Sequence, residues 1–295
     1  MTTASSHIVT LVASRDAGPL TPQDAARALA YAEGRHLTWL AEGQAVEFLA
    51  PRIPDRQAMS VILNHKSVDI FLTKPRGRRK AILVADMDST IVTTETLDEL
   101  ASYAGLKDKI AAITTQAMNG ELDFKEAIRE RVALLKGLRL SALEETCKSI
   151  EFSPGARILV STMNAFGATT ALISGGFTVF TAHVAAMLGF TTHRANLLLD
   201  DGAALTGELA EPILDKESKL TALEELATAR GVKLAATLSV GDGANDLPML
   251  KAAGLGVAYY AKPIVTAEII NHITHTDLTS LLFAQGYPAS AFKTA

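Results

Sequence analysis

The chain has a single cysteine, Cys147, among 295 residues. An internal disulfide and a thiolate metal cluster are therefore both excluded, as suits a reducing cytosol. Long apolar runs are also missing. None approaches the roughly 18 residues that a bilayer span requires. Residues 1–6 lack the basic segment and apolar core of a secretory signal, so a cytoplasmic location without membrane attachment is expected. Positive charge is not in excess. The net charge of −4 argues against a nucleic-acid surface while leaving room for a local basic pocket. Low-complexity tracts and internal repeats are absent. What remains is 48% hydrophobic and 20% charged, over a length that suits one large or two ordinary globular domains.

The first 76 residues read as a unit. Residues 7–13 form a strand candidate, and 21–33 a helix with Thr21 as N-cap and Pro22 at its first position. Residues 36–39 and 45–49 pair as a hairpin around Glu42-Gly43. Residues 56–63 are helical in pattern, and 67–72 return to strand. This β-α-β-β-α-β order is the ferredoxin-like arrangement. Pro75-Arg76-Gly77-Arg78-Arg79-Lys80 then interrupts as a linker, read chiefly as a solvated connector and secondarily as a phosphate or nucleic-acid contact.

From Ala81 the pattern alternates strand and helix, with short apolar strands expected at 81–85, 169–173, 195–199, 237–240 and 256–258. A run without polar alternation reads as a strand buried on both faces of a parallel sheet. The stretch from 96 to about 152 has helical periodicity and is far longer than a crossover needs, so an inserted helical cap above the strand ends is expected. The expected class is α/β: a Rossmann-like parallel core over 81–295 with that cap, preceded by the small α+β unit.

Four segments fall at strand or helix ends, where open α/β sheets bind ligands. Asp86-Met87-Asp88-Ser89-Thr90 places two carboxylates one residue apart, which repel unless a cation or proton intervenes. Ser174-Gly175-Gly176 offers a hydroxyl and backbone N–H groups to an anion. Lys219, early in a helix, is placed to neutralise negative charge. Gly241-Asp242-Gly243-Ala244-Asn245-Asp246 adds two more carboxylates to the same edge. Each segment alone is ordinary turn, cap or surface chemistry. Their joint occurrence at consecutive strand ends is not explained by packing. Hard oxygen donors without sulfur or paired histidines point to Mg²⁺ rather than zinc. His272 and His275 lack a third ligand nearby and read as a surface pair. Cys147 reads as a packed helix residue.

These four segments resemble the motifs of the haloacid dehalogenase superfamily of phosphohydrolases, with the closer likeness, over about residues 81–285, to its phosphoserine-hydrolysing branch. The latter rests on Glu95, on Phe124 and Arg131, and on residues 241–254. The resemblance implies Mg²⁺-dependent hydrolysis of O-phospho-L-serine, the last step of serine biosynthesis. It makes Asp86 the nucleophile and Asp88 the general acid and base. It implies that the metal is held by Asp86, the Asp88 carbonyl and Asp242, with Asp246 orienting from behind. Ser174, Gly175, Lys219 and Asn245 would hold the phosphoryl group, Glu95 the ammonium and Arg131 the carboxylate, with Phe124 and Met118 closing over the substrate. A related phosphatase or phosphotransferase for another small phosphate monoester is the alternative. The first 76 residues resemble ACT-like amino-acid-binding modules that also dimerise, and a homodimer through them is expected. A purely regulatory, amino-acid-sensing role is the competing class.

Overall fold

The computed structural model describes residues 6–118 and 123–294. The chain begins with β1 (His7–Ala13), α1 (Pro22–Tyr31), β2 (Arg35–Ala41), β3 (Ala45–Ala50), α2 (Arg56–Ile62) and β4 (Val68–Thr73). The antiparallel sheet has the order β2-β3-β1-β4, the ferredoxin-like arrangement. Thr21 caps α1 as its residue types dictate. Its hydroxyl accepts the Asp24 N–H at 3.1 Å while the Asp24 carboxylate accepts the Thr21 N–H at 2.9 Å, and Pro22 sits where no N–H is needed.

The core follows with β5 (Ile82–Ala85) and then four helices of the inserted stretch: α3 (Thr96–Tyr103), α4 (Lys107–Met118), α5 (Phe124–Ala133) and α6 (Leu140–Ser149). After α7 (Ala156–Ala165) come β6 (Thr169–Phe177), α8 (Thr178–Leu188), β7 (Thr192–Asn196), and a hairpin of β8 (Leu198–Asp200) and β9 (Leu205–Leu209). The chain ends through α9 (Lys216–Ala229), β10 (Thr237–Gly241), α10 (Leu247–Ala252), β11 (Leu255–Tyr259), α11 (Pro263–Thr266), β12 (Asn271–Ile273) and α12 (Ser280–Ala284). The six-stranded sheet is ordered β12-β11-β10-β5-β6-β7, and every pairing in it is parallel.

All four residues of β5 are fully buried, as their unbroken apolar run requires. Each large side chain there contributes about 1.5–3 kcal/mol of burial. The first core strand is therefore central, with the next strand, β6, on one side and β10 on the other. Strand order reverses at β5, which makes its carboxyl end the crevice of the sheet.

The structure departs from the sequence-based strands in three places. The expected strand at 195–199 divides: β7 joins the sheet edge, and the chain then leaves it to form the β8–β9 hairpin. Asn196 fixes the departure by donating to the Gly175 carbonyl at 2.8 Å and accepting the Leu214 N–H at 2.7 Å. Strand β6 continues past Ile173 to Phe177, which pairs with Asn196 across a register shift. A further edge strand, β12, contains His272, so the two histidines lie on a strand and the turn after it.

The two sheets are joined by polar groups as well as by packing. Val12 and Phe71 of the first sheet share a hydrophobic cluster with Leu281 and Leu282 of α12. Asp69, on β4 and almost fully buried, accepts the backbone N–H groups of Thr274, His275 and Thr276 and the hydroxyls of Thr274 and Thr276, all at 2.6–3.2 Å. Asp69→Ala strands these donors in the interior. It is expected to lower unfolding free energy by about 3 kcal/mol, read by denaturant titration of the full chain. A loss below about 1 kcal/mol would show that the latch is idle.

Candidate active site

Asp86 follows β5 directly and begins a tight turn, Met87–Ile91, in which Ser89 adopts φ +55°. Its Oδ1 accepts the Met87 N–H at 2.8 Å and pairs with Lys219 Nζ at 2.6 Å, which leaves Oδ2 uncommitted among the described residues. Lys219, on the first turn of α9 and 2% exposed, also pairs with Asp246 Oδ1 at 2.5 Å. Asp246 in turn accepts the Gly243 N–H through Oδ2 at 2.9 Å. A Cβ at Gly241 would run into the Asp246 side chain, so this glycine is dictated by the approach of the carboxylate. Asp242 accepts the Thr90 hydroxyl at 3.3 Å.

Oxygens of Asp86, Asp242 and Asp246 lie within 4.8 Å of one another. Three carboxylates with one lysine leave an excess of negative charge in a buried place. Burial pushes the Asp86 carboxyl well up, and Asp246 and Asp242 push it further against the opposing pull of Lys219. Burial likewise raises Asp242, with Asp246 adding to it. For Lys219 burial alone would push the amine down, but Asp246 and Asp86 outweigh it and hold the ammonium above its usual range. Hard oxygen donors at this spacing, carrying uncompensated negative charge, fit a divalent cation. The Asp88 side chain is not in that cluster.

Asp88 faces the other way. Its Oδ1 accepts both the N–H and the hydroxyl of Thr96 at 2.8 and 2.7 Å, and its Oδ2 accepts the Ser174 hydroxyl at 3.1 Å. Burial raises its carboxyl, with the Thr96 and Ser174 hydrogen bonds opposing. Ser174 Oγ also accepts the Gly176 N–H at 2.8 Å, so the Ser-Gly-Gly segment is shaped around its own hydroxyl.

A cavity of about 160 Å³ opens above these groups, lined by Asp86, Asp88, Ser174, Gly175, Asp242 and Asn245, and on its cap side by Glu95 and Arg131. Glu95 accepts the Ser89 hydroxyl at 2.8 Å, and burial together with Asp88 raises its carboxyl. Arg131 sits in the last turn of α5, where Nε donates to the Ala127 carbonyl at 3.2 Å. No ion-pair partner is found for it among the described residues. Burial lowers its guanidinium, opposed by Asp98 and Glu95. Its neighbour Arg129 instead pairs with Glu211 at 2.7 Å on the surface. The side chains of Met118 and Phe124 lie outside the described residues.

Of the residues expected from sequence, Asp86, Asp88, Glu95, Arg131, Ser174, Gly175, Asp242 and Asn245 line one cavity, with Lys219 and Asp246 directly behind Asp86. Lys262 and Thr96 were not anticipated, and Thr90 only as a member of its segment, without a role. Lys262 lines the cavity from the turn after β11, and its N–H donates to the Asp242 carbonyl at 3.1 Å. A lysine-proline pair just past a strand was the available signal, since it marks a helix start at the same sheet edge.

Residues 83–251 match the haloacid dehalogenase-like hydrolase family. The chain belongs to that family. It is 41% identical over 203 residues to the phosphoserine phosphatase of Lactococcus lactis, covering 69% of this chain and 94% of that one. It is 38% identical over 247 residues to the phosphoserine phosphatase of Streptomyces coelicolor, covering 82% of this chain. The match spans only 60% of that longer relative. Among solved structures, a probable phosphoserine phosphatase from Vibrio cholerae superposes with a TM-score of 0.78 at 30% identity, over 97% of this chain and 88% of that one. The Rossmann-like core expected from sequence is therefore the family's fold. No helix among the described residues is long and apolar enough to cross a membrane.

Proposed function

We propose that this protein hydrolyses O-phospho-L-serine to L-serine and inorganic phosphate with Mg²⁺, as the last step of serine biosynthesis. The observation that carries the reading is the single cavity that holds two sets of groups. Its floor carries the carboxylates and the Ser174–Gly175 anion cradle, and its cap side carries Glu95 and Arg131 as opposite charges. A phosphorylated amino acid has three charged groups, and this lining offers a complement for each.

Asp86, the Asp88 carbonyl and Asp242 would hold the ion, with Asp246 orienting from behind, and the bound ion would offset the charge of the phosphoryl oxygens. Oδ2 of Asp86, the oxygen left uncommitted, attacks phosphorus. The bond from phosphorus to the serine oxygen breaks, and Asp88 gives that oxygen a proton. Burial raises the Asp88 carboxyl and so favours its protonated form, which suits a proton donor. Asp88 then takes a proton from water as the water oxygen attacks phosphorus, and the Asp86–phosphorus bond breaks to release phosphate. Ser174, Gly175, Lys219 and Asn245 position the phosphoryl oxygens, so most of the catalysis is electrostatic placement. Glu95 receives the substrate ammonium and Arg131 its carboxylate, with Phe124 closing the site.

Phosphate release across phosphoserine, phosphohomoserine, glycerol phosphate and p-nitrophenyl phosphate, with and without a chelator, tests the proposal. Metal-dependent release with phosphoserine foremost is expected. A preference for another monoester would reassign the substrate, and chelator-resistant turnover would overturn the mechanism. Arg131→Ala should lower kcat/KM for phosphoserine by roughly 10- to 100-fold, the worth of one charged hydrogen bond. It should change p-nitrophenyl phosphate turnover by less than about threefold. Equal losses on both would remove Arg131 from carboxylate recognition.

We take residues 1–76 as a module separate from the catalytic part at 81–295, with the cap at about 96–152. The module's own cluster of Val9, Leu11, Phe48 and Met59 supports this. Strand β2 has a strand partner on one side only among the described residues, and an open edge of this kind supports a homodimer through the module. The lone cysteine supports a cytoplasmic setting.

A further inference from the structure

A cavity of about 520 Å³, more roomy than the catalytic one, lies at the seam between the first module and the core. The basic linker read from sequence as a connector forms one wall of it through Arg76 and Lys80, with Lys74 just before it. Lys74 and Arg76 have no acidic partner among the described residues. The Lys80 ammonium donates only to the Gly77 and Ala235 carbonyls, at 2.9 and 2.7 Å. The other charges nearby are already neutralised: Arg78 by Glu47 at 2.6 Å, and Lys251 by Glu268 at 3.0 Å. The seam therefore holds surplus positive charge in a chain whose overall charge is negative.

Unpartnered polar atoms point to the same place. Six buried side-chain nitrogens and oxygens among the described residues find no hydrogen-bond partner, and three of them belong to residues of this cavity: His7 Nδ1, Thr73 Oγ1 and Arg78 Nε. Thr73 is only 9% exposed. A buried hydroxyl without a partner is an unmet hydrogen-bonding demand, so the wall of this cavity is not satisfied by the protein's own polar groups. The facing wall is apolar, formed in part by Leu255 and by Ile53 and Ile270, the last two half exposed to the opening.

We infer that this seam is a binding site for a small organic anion, with a carboxylate or phosphate group set among Lys74, Arg76 and Lys80 and an apolar body against Ile53, Ile270 and Leu255. Burial and the nearby Lys74 ammonium push the Lys80 amine down to about 8. The charge of a bound anion would oppose that push. The site is separate from the catalytic cavity and stands whether or not phosphoserine is the substrate.

Hexanoate and hexyl phosphate serve as probes, titrated calorimetrically into the full-length protein with divalent ions chelated, and hexylammonium serves as the control of opposite charge. Either anion should bind, and the tighter of the two identifies the preferred head group. Hexylammonium should not bind. Lys74→Gln/Arg76→Gln changes two exposed side chains, so the fold is retained, and it should weaken anion binding at least tenfold. Arg131→Ala should leave that binding unchanged. The proposal fails if neither anion binds, if hexylammonium binds equally, if the double variant binds as the parent does, or if Arg131→Ala abolishes the signal and so places the anion in the catalytic cavity.

Discussion

Asp86→Asn is expected to reduce phosphate release from phosphoserine by about 10⁴-fold or more, some 5.4 kcal/mol of transition-state stabilisation. The amide keeps the shape of the side chain but presents no anionic oxygen to phosphorus. Unfolding will not account for the loss. In the metal-free protein burial, Asp246 and Asp242 raise the Asp86 carboxyl well above its unfolded value, despite Lys219. A carboxyl raised in the folded state stabilises the fold while it is protonated and loses that contribution as pH rises through the folded value. Wherever it is ionised the group thus weighs against the fold, and its neutral isostere should leave the metal-free Tm equal to or above that of the parent. The increase in Tm on adding Mg²⁺ should shrink, because one of the oxygens proposed to hold the ion would have lost its charge. Parent-like turnover would remove Asp86 as the nucleophile, and a lower metal-free Tm would show that its pairing with Lys219 outweighs its repulsion from the other carboxylates.

How far the sequence reveals this arrangement depends on the range of the interaction concerned. Residues 82–85 declare a buried parallel strand because no polar residue interrupts them, and the turn-forming glycines and aspartates after residues 85, 173 and 240 mark the sheet edge where the cavity lies. The alternation of strands and helices is enough to give the class of fold. Lys219 was legible as a cation near an anion, but not as the partner of two carboxylates, since Asp86 and Asp246 approach it only through the sheet order. The Asp69 latch joins residues more than 200 positions apart and leaves no local pattern. Strands β8 and β12 have three residues each, too few to show a period, and β12 carries an asparagine and a histidine. Lys262 escaped because it lies beyond the strand expected at 256–258, and a lone lysine past a strand is ordinary turn chemistry.

Lys219→Met should be costly both to stability and to activity, and the pH dependence of the stability loss identifies its cause. Methionine fills much of the same volume, so packing is largely retained and the lost charge dominates. Removal leaves Asp86 and Asp246 buried without their cation, and breaking a buried pair from one side costs about 3–5 kcal/mol. The Lys219 ammonium lies above its usual range in the folded state. Its contribution is fully present below the unfolded lysine value and is lost only as pH rises through the folded one, so its charge is constant across pH 5.5–7.5. The pH dependence within that window comes from the Asp86 carboxyl, already raised by burial and its acidic neighbours, which rises further once the lysine is gone. A raised carboxyl stabilises the fold when protonated, so the deficit of the variant should be largest at the alkaline end and narrow on acidification. If Lys219 holds the phosphoryl group as proposed, loss of that cation should lower kcat by about 10²–10³-fold. Mg²⁺ should recover part of the stability, since a divalent cation restores charge beside Asp86, but not the turnover, because the ion cannot also stand where the ammonium stood. Denaturant titrations at pH 5.5 and 7.5, with and without Mg²⁺, test this directly. A deficit independent of pH would trace the loss to packing rather than to two uncompensated carboxylates.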